Sequence, residues 1–516
     1  ELVRLHEAVL AQRPHLDWLP PPRPSGGPSV PEEELPTAHE LLPTARTALA
    51  AHDWRCAFGL LSDADRTVPL SAEDLEGLAE SAWGLGRYRE GLAVRQRAHH
   101  AYLRAGDLRR AAFNSVVLTI QYAGLRQFAV ANGWYQRAQR LLAAEPDCAE
   151  HGYLALATTF VALGMGDQER CLVAARSTYE LGVRHGVAEL QALGMVFLGT
   201  VLIHRGQVAE GLALHDEGMA MALGGGLSQL ATGQVFCQVV RTSCELGDYR
   251  RADKWTEAVE DCFTRTRLTS FPGDCEVHRV TIMINRGAWT LAEQQAHRAC
   301  VQAQYFDLSH VGLAFAGIGN VRLRVGDLTG AEEALAKAEE LGASPLPGRA
   351  RLELLRGRSA EAAVLINEAL AGRGWDRLDR TRLLPDQVTI ALAVDDLDTA
   401  RAAATELDES ARTYGSTAML AAAEAARGEL ALATGEDDPL PSLRRSVKLW
   451  REAESPYESA RVRVLLAAAL QRAGQPEAAR MELANARDCF ERFGARLDAE
   501  AIAEPVTIGA EPVTIG

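Results

Sequence analysis

The chain has 516 residues and a mass of 55.8 kDa, with 54 Lys and Arg against 69 Asp and Glu, a formal net charge of −15 and a pI near 5.4. Apolar residues make up 47% and charged residues 24%, which excludes a disordered chain and leaves material for a large core. The acidic balance argues against a general nucleic-acid binder, because phosphate contacts need a basic field.

Nine cysteines, an odd number without framework spacing, point to a reducing compartment with buried thiols, hence to a cytoplasmic chain. No secretory signal is visible at the N-terminus, and the start at Glu1 without Met leads us to expect a segment upstream. The longest uncharged run, 218–240, is broken by Gly224, Gly225 and Gly226 and reads as two helices and their joint, not as a membrane span.

Residues 1–19 read as an amphipathic helix, with Leu2, Leu5, Val9 and Leu10 on one face, such as would end an upstream domain. Residues 20–36, rich in Pro and Gly, read as a linker. Periodic text fills 37–500. Its unit is a turn with Gly, often followed by Asp or Gln, and then a small residue five positions after the Gly.

The turns fall at Gly86, Gly124, Gly166, Gly206, Gly247, Gly287, Gly326, Gly357 and Gly474, with His52 and Asp395 in place of Gly and a degenerate copy at Gly435. The small residues are Ala57, Gly91, Ala129, Cys171, Gly211, Ala252, Ala292, Ala331, Ala362, Ala400 and Ala479. Gly permits the reversal that ends one helix, and the small residue lets two antiparallel helices approach closely. This pattern predicts an all-α fold: an α-solenoid of about twelve tetratricopeptide-like helix–turn–helix repeats, with a roughly 40-residue period, wound as a right-handed superhelix. Residues 501–516 carry the heptapeptide AEPVTIG twice and read as a tail, since Pro505 and Pro512 bar a helix.

Catalytic signatures are missing: there is no P-loop, no G-x-S-x-G elbow, no H-E-x-x-H pair and no G-x-G-x-x-G fingerprint. One cysteine–histidine region remains. Cys237 and Cys244, seven apart, share a helix face; Cys275 and His278 lie three apart after a turn. Adjacent helices of a solenoid can bring such residues together, so Cys237, Cys244, Cys275 and His278 are the candidate metal ligands. The competing reading, which the residue types favour, is that these cysteines are small packing residues in tight helix seams. His99 and His100 read as solvated or capping residues rather than ligands, and Trp83 and Tyr88 as packing between repeats.

The segments LAESAWGLGRYREGLAVRQRAHHAYLRAGD (78–107), ATGQVFCQVVRTSCELGDYRRADKWTEAVEDC (231–262) and FPGDCEVHRVTIMINRGAWTLAEQQAHRAC (271–300) resemble the helical repeat region of actinobacterial LuxR-type transcriptional regulators. The scarcity of lysine, with only Lys254, Lys337 and Lys448, fits a high-GC bacterial source. Residues 1–19 are faintly similar to the end of a bacterial transcriptional activator domain. The resemblance implies a sensory or partner-binding region. The LuxR-type helix-turn-helix tail is missing, which puts direct DNA contact in doubt.

Two functional expectations follow. The first is a non-enzymatic cytoplasmic scaffold whose concave groove binds a protein segment or small effector, with no cofactor, no direct nucleic-acid contact and no membrane. The second is an enzyme or metal protein of secondary metabolism built around the Cys/His cluster. Oligomeric state is open in both.

Overall fold

The computed structural model describes residues 38–266, 274–303, 308–372 and 376–502. The readings for 1–19, for 20–36 and for the repeated heptapeptide lie outside those residues. Among the described residues there are 26 helices and no strand. Consecutive helices pair as antiparallel hairpins, and each hairpin stacks on the next, as the all-α solenoid reading requires. No helix among the described residues is long and apolar enough to cross a membrane.

The hairpin turn works as its residue types dictate. Gly86, Gly166, Gly206, Gly247, Gly287, Gly326, Gly357, Gly435 and Gly474 all adopt positive φ, and His52 and Asp395 do the same in their copies. The Asp that follows caps the second helix. Asp53, Asp167, Asp248, Asp327 and Asp396 each accept a hydrogen bond from the backbone N–H three residues on. Each cap satisfies a donor the helix leaves without a partner.

The small positions form the seam. Ala57, Gly91, Cys171, Gly211, Ala252, Ala292, Ala331, Ala362, Ala400 and Ala479 are all buried. Ala129 is the exception and is exposed. The helix Leu108–Gly124 runs through the supposed turn glycine, and Arg126 takes the positive-φ position instead, at +58°. Five residues after Arg126 stands Ala131, which is buried. Gly124 and Ala129 are therefore corrected by two residues: the turn sits where an arginine tolerates the left-handed conformation, not where the nearest glycine stands.

The superhelix packs against itself. Arg126 donates to the Leu341 carbonyl at 2.8 Å, Gln168 to Asp376 at 3.0 Å, and the Tyr414 hydroxyl to the His204 carbonyl at 3.1 Å. These partners are 215, 208 and 210 residues apart, so each superhelical turn lies directly on the next. Trp83 and Tyr88 join Val311, Phe315 and Leu341 in one apolar cluster across that boundary. Ile203 and Leu246 share a core with residues of 350–426, and helices of 277–334 share another with 457–502. One superhelical turn is thereby packed against the next through apolar side chains as well as hydrogen bonds.

The tightest seam joins Gly199 and Gly211. A Cβ at Gly199 would lie 2.6 Å from the Gly211 carbonyl oxygen, and one at Gly211 would overlap the Gly199 carbonyl oxygen. Gly211→Ala is expected to lower stability by about 1–3 kcal/mol through overpacking. The exposed Gly133, whose added Cβ would meet nothing within 4 Å, supplies the control: Gly133→Ala is expected to be stabilising by about 0.5–1 kcal/mol. Denaturant melts of both variants check this; equal effects would contradict the seam.

Candidate functional site

The first helix of each hairpin faces inward. In the second half of the chain these are α11 (Gln229–Glu245), α13 (Asp274–Arg286), α15 (Leu308–Val325), α17 (Gly348–Leu355), α20 (Leu384–Ala393), α22 (Thr417–Thr434) and α24 (Pro456–Arg472) in chain order. They surround a chamber of about 540 Å³, whose lining begins at Arg241 and ends at Leu465. That stretch matches one superhelical turn, so the chamber lies along the inner face of the solenoid and stays partly open to solvent.

Its walls are unusually charged for an interior. Arg241, Arg324, Arg351, Arg382 and Arg461 line it, with Glu245, Asp386, Glu429 and Glu458. Arg351 grips Asp386 with two hydrogen bonds, of 2.5 and 2.9 Å. Glu458 accepts from Arg324 at 2.9 Å and from Arg461 at 3.4 Å. Burial works to raise the Glu458 carboxyl, but Arg324, Arg461 and Arg351 outweigh it and hold it below its ordinary value. Glu429 has no such counterweight. Burial dominates there, opposed only by the Thr389 hydroxyl and Arg461, and lifts its carboxyl to about 7.

Several polar atoms on these walls lack partners. His278 Nε2, Asn320 Oδ1, Arg324 Nε and Arg461 Nε are buried with no hydrogen-bond partner. Arg382 is exposed to the chamber and has no carboxylate within ion-pair distance among the described residues. Unpaired buried polar groups cost about 1–3 kcal/mol each, so a site that collects four of them is built to receive donors and acceptors from elsewhere.

Beside the chamber a histidine ties two superhelical turns together. His204, the last residue of α9 (Ala188–His204), pairs through Nδ1 with Asp376 and through Nε2 with Glu245 at 3.3 Å. Burial opposes its charge, but the hydrogen bonds to Asp376 and Glu245 prevail and raise it to about 10. Glu245 is raised by burial and lowered more strongly by Arg241 and His204, ending near 2.

The sequence-derived ligands separate. Cys237 on α11 and His278 on α13, both buried, come together with His310 on α15; their ligand atoms lie within 4.8 Å of one another. The two imidazole rings are 5.6 Å apart, edge to face. Cys244 stands outside that group: its Sγ lies 4.0 Å from the His278 carbonyl oxygen, and burial pushes its thiol up. Cys275 is the second residue of α13, and its side chain lies outside the described residues. His310 was missed because the repeat register hides it. It stands 16 residues before its turn glycine, Gly326, whereas His278 stands 9 before Gly287. His99 is a further correction: it is buried, with Nδ1 2.9 Å from the Ala111 carbonyl, so it belongs to the interior rather than to a solvated helix end.

No family model matches the chain, and no curated protein matches it. Among solved structures it is similar to the Cut9–Hcn1 hetero-tetramer of the APC/C at 13% identity, covering 91% of this chain and 97% of that one, with a TM-score of 0.37. A Rap protein complexed with competence and sporulation factor is 13% identical, with 78% and 98% covered and a TM-score of 0.37. The apo form of the quorum sensor NprR from B. thuringiensis is 12% identical, with 74% and 98% covered and a TM-score of 0.36. At these values the likeness carries no argument, and the solenoid stands on its own helix pairing.

The His204 staple has a pH signature. A group raised to about 10 contributes its stabilisation fully below about pH 6.5 and loses it as pH rises through 10. His204→Gln is expected to cost about 3 kcal/mol at pH 6.5, with the gap to the native chain narrowing by pH 10. Denaturant melts across that range check it; a gap independent of pH would contradict the charged bridge.

Proposed function

We propose that the chain is a non-enzymatic helical-repeat scaffold that binds a small anionic effector in its axial chamber, as the sensory part of a bacterial transcriptional regulator. The observation that carries the reading is the excess of arginine over carboxylate on the chamber wall, with Arg382 unclaimed and buried polar atoms on Asn320, Arg324 and Arg461 unsatisfied. The volume falls in the range of small-molecule sites, about 300–1,000 Å³. The size of the chamber and the charged groups converging on it favour a small effector over a protein segment. The regulatory role rests on the resemblance of the repeats to LuxR-type regulators.

Two of the groups have assigned tasks in this reading. Arg382 pairs with an anionic group of the effector, and Glu429 adjusts the charge of the site. Because its carboxyl sits near 7, Glu429 takes up a proton as pH falls from 8 to 6 and removes one repulsive charge.

Native mass spectrometry of the full chain, purified without chelators, tests the reading. A bound anionic molecule is expected on the native chain. Arg382→Ala is expected to weaken its binding about 10–100-fold, the loss of one hydrogen bond to a charged group, without lowering the melting temperature. Affinity is expected to rise from pH 8 to pH 6, and to lose that dependence in Glu429→Gln. A bare polypeptide mass, or retention of a partner polypeptide in place of a small molecule, would overturn it.

A further inference from the structure

The group formed by Cys237, His278 and His310 is independent of the arginines and goes beyond the effector reading. Three successive inner helices, α11, α13 and α15, each contribute one residue. All the ligand atoms lie within 4.8 Å of one another. A zinc-class ion holds sulfur at about 2.3 Å and imidazole nitrogen at about 2.0–2.1 Å, which sets donors about 3.5 Å apart.

A packing role explains the burial of Cys237, but it does not explain the rest. His278 is only 5% exposed, and its Nε2 has no hydrogen-bond partner. A second imidazole, that of His310, stands edge-on to it at 5.6 Å. Two imidazoles and a thiol crowded in an interior are a poor way to fill space, since an orphaned ring nitrogen carries its full desolvation cost. One soft sulfur with two borderline nitrogens suits zinc and its class, not magnesium or calcium.

We infer that Cys237, His278 and His310 form a binding site for a zinc-class transition ion, with a fourth coordination position left for water or for a donor atom of a chamber ligand. Binding releases the Cys237 thiol proton to solvent, and the thiolate neutralises one of the two positive charges of the ion. His278 also lines the chamber, so the ion stands in the wall of the effector site. Cys244, despite sharing a helix with Cys237, takes no part.

Cobalt(II) is the probe, added to the full chain after chelator treatment and dialysis. One cobalt per chain is expected, with a thiolate-to-cobalt charge-transfer band and the visible bands of a four-coordinate ion, both removed by one equivalent of zinc. Cys237→Ser is expected to abolish the charge-transfer band. His310→Ala should weaken cobalt binding more than tenfold, and Cys244→Ser should leave band and affinity unchanged. Far-UV circular dichroism on each variant reports folding, and the wild-type titration stands without any variant. Absence of the band in the native chain would overturn the site, as would its survival in folded Cys237→Ser or its loss in Cys244→Ser. The probe is the metal alone, so failure of the effector reading leaves this result intact.

Discussion

Everything in this structure depends on the close approach of two antiparallel helices at a position too small for a side chain of ordinary size. Ala, Gly or Cys at that position lets the backbones meet; between Gly199 and Gly211 only hydrogen fits. The seam sets how one helix of a hairpin lies on the other. Repeated along the chain, that small rotation sets the curvature of the solenoid. Here the curvature brings residues about 210 positions apart into hydrogen-bond contact. The interior chamber is a product of that closure, because no single hairpin contains it.

Closure also explains why so many charges survive inside. A buried ion pair is weak evidence for stability, since its desolvation cost rivals its attraction. Arg351 with Asp386, and Arg324 and Arg461 with Glu458, nevertheless line the chamber rather than the outer rim. Arg461 holds Glu458 from the same helix, but the other two pairs link inner helices that the local hairpin seams do not join: Arg351 on α17 meets Asp386 on α20, and Arg324 on α15 reaches Glu458 on α24, 134 residues away. His204 does the same between superhelical turns. These charged pairs, together with the apolar clusters shared between superhelical turns, make the long-range contacts that the alanine seams do not specify.

The legible part of the fold was the part written locally. Gly in the turn, Asp at the cap and a small residue in the seam each have a reason within one hairpin, and the buried set from Ala57 to Ala479 follows them. Where the turn residue was Arg126 instead of Gly, the reading slipped by two positions and picked the exposed Ala129. Contacts between superhelical turns leave no periodic trace, so the chamber and the five arginines in it were illegible. Cys237 and His278 are legible from residue type and local spacing. Their neighbour His310 was hidden because helix starts, which shift from repeat to repeat, decide which residues of adjacent inner helices stand level. Cys244 looked equivalent to Cys237 by spacing, yet two helical turns carry it away from the imidazoles.

The closure of one superhelical turn on the next is the claim on which the chamber rests. Pulsed dipolar spectroscopy between genetically encoded spin labels at Gln127 and Glu340, which flank the contact of Arg126 with Leu341, measures it directly. The closed superhelix requires a single narrow distribution at contact range. A broad distribution centred at the separation of an open solenoid would contradict the account.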